Sequence, residues 1–247
     1  MKLSKKITLV KNFFFIKIEN LKKLINLIKN MKGIIDVNLK KNRYVGAATG
    51  AKNLIIVLDT SSSMSQIVRE ENSTLSRMAI AREAIGFLID TMTNADLCGF
   101  VQFNTNATHF ADVLLPVNAT TKDKIKAFVN KLEPQGLTNY EDGFRKAFQI
   151  LNNTYNNKAR GANGLLSEDC ATVILFLTDG KINEGERDKN VLMSLMRQWD
   201  SKHNATIISY TLGDSSENEV PKLIACQHRG FWKKIENITK LKNELSS

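Results

Sequence analysis

Four stretches of this 247-residue chain are apolar almost without interruption: residues 54–58 (LIIVL), 97–103 (LCGFVQF), 173–177 (VILFL) and 207–212 (IISYTL). A strand with one face in water alternates apolar and polar side chains, so runs this uniform belong to strands buried on both faces. Helical patterns separate them, near residues 75–92, 122–132, 142–151, 190–199 and 219–226. Each helix is long enough to cross over the sheet and return the chain in the same direction, which makes neighbouring strands parallel. The fold class predicted is α/β: a doubly wound, mainly parallel sheet flanked by helices. Residues 110–117 read as an edge strand and 231–235 as a last strand before a closing helix over 238–245. The Asn- and Gly-rich stretch 152–163 reads as an exposed loop.

The length suits one domain burying roughly 70 to 75% of its unfolded surface, with some chain left over. Residues 1–42 form a basic amphipathic N-terminal segment, 43–52 a connector with the small residues expected of one, and 53–247 the globular domain. In the first segment Leu21, Leu24, Ile25, Ile28 and Met31 follow helical spacing, opposite Lys22, Lys23 and Lys29. Three readings stand side by side: a helix packed on the domain or on a partner, a helix lying on a membrane surface, and a signal sequence interrupted by Lys11 and Lys17. No apolar run reaches the length of a membrane span.

The net charge of +10 would point to nucleic acid if it were spread over the domain. Residues 1–43 carry 12 of the 35 basic residues and 2 of the 25 acids, so the remainder is neutral. No basic stripe interleaved with aromatics runs through it, which argues against nucleic-acid binding. The three cysteines, Cys98, Cys170 and Cys226, show no spacing for zinc or dithiol chemistry. Cys98 reads as a small core residue; Cys170 and Cys226 are able to pair in an oxidising compartment, and spacing does not decide whether they do. Six Asn-x-Ser/Thr sequons, at Asn72, Asn106, Asn118, Asn152, Asn204 and Asn237, lean toward the secretory route.

The first apolar run ends in an acid and a cluster of hydroxyls, NLIIVLDTSSSM over residues 53–64. Ligands of an open parallel sheet gather beyond the carboxyl ends of its strands, where strand order reverses. Asp59 stands at that end, and Ser61 and Ser63, at alternate positions of an extended turn, point their hydroxyls the same way. A second acid, Asp179, closes the run TVILFLTDG, with Gly180 permitting a sharp turn. Thr138, in PQGLTNYEDG before a helix, supplies a further oxygen. Capping or an ordinary turn explains either motif alone; both, each after a buried strand, point to a hard divalent cation held by oxygen, Mg²⁺ first and Ca²⁺ or Mn²⁺ as alternatives.

D-x-S-x-S after the first strand, a central Thr loop and a later T-D-G resemble the von Willebrand factor A domain with its metal-ion-dependent adhesion site. The resemblance spans about residues 50–246 and implies that Asp59, Ser61, Ser63, Thr138 and Asp179 are the metal-site residues. It departs at Ser62, where that family usually has Gly, and the ease of the turn is the point at issue. VQFNTNA, GLTNYEDGFRKAF, LFLTDG and IACQHRGFWKKIENI look closer still to the A domain of the alpha-2/delta auxiliary subunits of voltage-gated calcium channels. This implies an extracellular or cell-surface interaction module whose cation takes an acidic group from a partner, a calcium channel or another membrane protein. The resemblance also implies that the position of Cys226 bridges to a later portion of the family chain, with Cache-type modules and a membrane-anchored part that the resemblance does not reach, which leaves Cys226 expected to be unpaired here. Residues 1–42 have no counterpart in it.

Catalysis has little support. The motifs G-x-S-x-G, G-x-x-x-x-G-K-[ST] and G-x-G-x-x-G are absent, and His109, His203 and His228 assemble no triad and read as surface or packing residues. A Mg²⁺-dependent hydrolase is the enzymatic alternative, but no general base or phosphate clamp accompanies the motif, since Lys181 reads as a solvated loop charge. A cytoplasmic A-domain scaffold is the second binding alternative.

Overall fold

A computed structural model describes residues 51–70, 73–158, 170–213 and 218–235. The expectations for residues 1–42, for most of the connector, for the closing helix over 238–245 and for the sequons at Asn72 and Asn237 lie outside them. One compact unit comprises Thr49–Val68 and Leu75–Glu236. Of the other, only residues 69, 70, 73 and 74 are described, within two short strands that pair with each other, β2 (Ile67–Glu70) and β3 (Ser73–Ser76).

The four apolar runs become β1 (Lys52–Asp59), β4 (Leu97–Phe103), β7 (Ala171–Thr178) and β8 (Thr206–Leu212). They lie side by side in the order β4-β1-β7-β8, followed by β9 (Trp232–Ile235), every neighbouring pair parallel. Their side chains are buried in succession, as crossover helices on both faces require. Ile55, Val57, Ile174, Phe176 and Ile207 pack with Phe103, Tyr140, Phe144 and Phe148 into one core. Cys98 is part of the buried sheet, its thiol pushed up to about 12 by burial and the nearby Asp96 charge, so it is a packing residue without thiolate chemistry.

The helices are α1 (Arg77–Thr91), α2 (Ala119–Asn130), α3 (Tyr140–Asn156), α4 (Lys189–Trp199) and α5 (Glu219–Gln227). Four begin where a short polar side chain accepts a free amide of the first turn: Ser76 from Ala79, Asn118 from Thr121, Asn139 from Asp142, and Asp188 from Asn190 and Val191.

Two sequence expectations are corrected. The edge strand expected over 110–117 shrinks to β6 (Leu115–Pro116), and the strand beside β4's carboxyl end is β5 (Ala107–His109), antiparallel to it. Pro116 cannot donate to a ladder, whereas residues 104–106 make a turn short enough to fold the chain straight back on β4. The loop expected from residue 152 begins later, because Thr154 extends the apolar face of α3: its buried hydroxyl donates to the Ile150 carbonyl and accepts the Leu114 amide. Cys170 and Cys226 are both free thiols.

Candidate metal centre

Chain order runs from β1 outward to β4, then across to β7 and outward again, so the direction of winding reverses between β1 and β7. Asp59 closes β1 and Asp179 follows β7, which sets both acids over that seam. Asp59 is fully buried; its Oδ1 accepts the Ser61 amide at 2.8 Å and its Oδ2 the Thr178 hydroxyl at 2.7 Å. Burial, and after it the Asp179 charge, push its carboxyl up to about 7 against the pull of those hydrogen bonds.

The Ser61 and Ser63 hydroxyls lie 3.0 Å apart, on one side of the turn as the alternation predicts. Ser61 is extended and buried, and the chain tightens after it into a short 3-10 turn, Ser62–Ser65. Ser62 adopts no left-handed conformation, so the side chain at this position costs the turn nothing. It instead binds the neighbouring loop twice, its amide and its hydroxyl each donating to the Gly136 carbonyl at 3.1 Å. Gly180 adopts φ 105°, the sharp turn expected of it.

Thr138 is buried in the loop that leads into α3. On one side of it Gly136 is held by Ser62, and the Gln135 amide donates to the Thr60 carbonyl at 2.8 Å; on the other, the Tyr140 hydroxyl meets that of Thr178 at 2.9 Å. Its own amide donates to Asn183 Oδ1 at 2.6 Å, and its carbonyl accepts the amides of Asn183 and Glu184. The loops after β1, before α3 and after β7 are thereby tied together, and they carry the five residues singled out from sequence.

Four contributors carried no assignment from sequence. Thr178 and Tyr140 form a hydroxyl relay ending on Asp59, Asn183 pins Thr138, and Arg77 Nη1 lies 2.9 Å from Asp179 Oδ2. Thr178 was visible as the first letter of T-D-G; the others had no local signal. All five candidate side chains present oxygen, the donor type of a hard cation, and a guanidinium already stands against one of the two acids, so the place takes positive charge. The three histidines have other partners. His109 bonds Asp112, while His203, bonded to Asn152, and His228, bonded to Asp200, flank the amino end of β8.

The family model for the von Willebrand factor type A domain matches residues 54–181, and the chain belongs to that family. Inter-alpha-trypsin inhibitor heavy chain H3 of Rattus norvegicus is 26% identical over 184 residues, covering 74% of this chain and 19% of that protein. Voltage-dependent calcium channel subunit alpha-2/delta-3 of Homo sapiens is 22% identical over 213 residues, 83% of this chain and 17% of that protein. This chain thus spans less than a fifth of either relative. A solved von Willebrand factor type A structure from Catenulispora acidiphila shares the fold with a TM-score of 0.62 at 20% identity, covering 81% of this chain and 42% of that one.

Proposed function

We propose that the chain is a non-catalytic, metal-dependent protein-interaction module. Asp59, Ser61, Ser63, Thr138 and Asp179 would hold one divalent cation, Mg²⁺ first, with a coordination position left for an acidic side chain of a protein partner. The observation that carries this reading is the convergence of three loops from distant parts of the chain on two acids and a close pair of hydroxyls at the switch point. Oxygen donors without nitrogen or sulfur favour a hard ion, and Mg²⁺ keeps positions for outside ligands. Ser62, Gly136 and Leu137, in the loops that carry the candidate residues, are exposed, so a macromolecule can reach those loops. Similarity to the alpha-2/delta subunit supports a channel or other membrane protein as the partner; similarity to the inhibitor heavy chain widens the choice to extracellular proteins at large. An extracellular location also agrees with the exposed asparagines of the sequons at Asn106, Asn118, Asn152 and Asn204. Among the described residues no helix is long and apolar enough to cross a membrane.

Isothermal titration of the protein with Mg²⁺ and Mn²⁺ tests the site. Asp59→Ala and Asp179→Ala each remove a ligand charge and should abolish saturable binding, and partner capture should fail in the same variants. Saturable Mg²⁺ binding that survives Asp59→Ala would overturn the assignment. Glycosidase treatment of the protein expressed in a eukaryotic host should raise its gel mobility; unchanged mobility would speak for the cytoplasmic alternative.

A further inference from the structure

Arg77 is the first residue of α1, and its side chain turns back over the centre. Nη1 lies 2.9 Å from Asp179 Oδ2 and 3.4 Å from the Ser63 carbonyl, so the guanidinium bridges two of the five candidate ligand residues. Its seat is built. The Arg77 amide donates to the Gln66 carbonyl at 3.0 Å, and Gln66 in turn donates to the Ser63 carbonyl at 3.1 Å, joining the helix start to the D-x-S-x-S turn. Gly213, at the end of β8 with φ 88°, leaves the room the guanidinium uses: a Cβ there would come within 2.5 Å of Arg77 Nε and 2.6 Å of Nη2. The pair is nearly closed to water, with side-chain exposures of 12% for Arg77 and 3% for Asp179.

We infer that Arg77 is an internal counter-cation that competes with the divalent ion for Asp179 and sets the affinity of the site. The inference rests on the metal-site reading and adds to it the residue that tunes occupancy. Two acids share the centre, and in its low-dielectric surroundings they need compensating positive charge. Arg77 supplies it when no ion is bound. A divalent ion engaging Asp179 beside Ser63 would meet the guanidinium at close range, and like charges so placed repel strongly where water is scarce. Loading therefore exchanges one cation for another: the ion takes Asp179, and the guanidinium gives up its contact with that carboxylate. The alternative, in which Asp179 serves both cations and Arg77 merely orients it, makes the opposite prediction for Mg²⁺ affinity and for the melting deficit in saturating Mg²⁺.

The test compares the wild-type protein with Arg77→Gln, and with Arg77→Lys, which keeps the charge without the planar fork. Titration with Mg²⁺ and Mn²⁺ should show Arg77→Gln binding on the order of tenfold more tightly than wild type, within the usual range of coupling between ligands, with Arg77→Lys in between. Thermal melts supply a readout independent of affinity. In chelator Arg77→Gln should melt below wild type because Asp179 has lost its counter-charge, and in saturating Mg²⁺ that deficit should close. Equal or weaker Mg²⁺ binding by Arg77→Gln, or a deficit that persists unchanged in Mg²⁺, overturns the inference while leaving the metal site standing. If neither wild type nor variant binds either ion, the metal-site reading falls and this inference with it. Should Arg77→Gln fail to fold, Arg77→Lys carries the same comparison, and Mg²⁺ affinity no tighter than wild type refutes the exchange.

Discussion

At Asp59 the two effects that strengthen a carboxyl's hold on its proton act together, burial first and the neighbouring Asp179 charge second, and they lift it to about 7. In the unfolded chain the same group ionises near its ordinary value, 3.8. The folded state therefore binds the extra proton between these values, and its stability without metal declines as pH rises from about 4 through about 7. The loss is on the order of a few kcal/mol. Asp59→Asn should flatten this slope and stabilise the metal-free protein at pH 8, as denaturant unfolding in chelator will register. Cation affinity should run the other way, rising with pH through about 7 because the ion must displace that proton; an affinity independent of pH between 6 and 8 would contradict the site. Tyr140→Phe takes the outer hydroxyl from the relay and should cost about 1 kcal/mol, read from the same unfolding curves.

Among the elements, α3 does most to position the centre, since its first turn carries Tyr140 and its lead-in carries Thr138. Asn139 starts it, accepting the Asp142 amide at 3.0 Å while its own amide donates to the Asn104 carbonyl at 2.9 Å. Asn139→Ala should lower stability by about 1 kcal/mol and weaken cation binding, whereas Asp188→Ala, a comparable cap on α4 whose hydrogen bonds go to Glu186, Asn190, Val191 and Leu192, should lower stability alone. Two titrations and two denaturation curves separate these outcomes. The four strands and five helices were legible because each is long, strongly patterned and bounded by residues that cap or turn. Residues 107–116 were not: strands of two and three residues exist because β4 offers an edge to pair with, and that edge is a tertiary fact. The Asp59, Ser61 and Ser63 turn could be read from alternation, and Asp179 from its place after a buried run. Arg77 could not, because its partner lies 102 residues further along the chain and no period of helix or strand reaches that far.

For the whole molecule, an ion that binds only the folded state adds stability by mass action. Mg²⁺ at a hundred times its dissociation constant should contribute about 2.7 kcal/mol, a rise in melting temperature of roughly 5 to 10 °C for a domain of this size. Asp179→Ala should abolish the rise, and a melting temperature indifferent to Mg²⁺ in the wild type would count against a folded-state site. The bonds from Ser62 to Gly136 bear on how the folded chain answers force. They rivet the turn after β1 to the loop before α3. A pull on either segment is then shared between two stretches that meet only in the folded chain, so this join is built to bear a load before it yields.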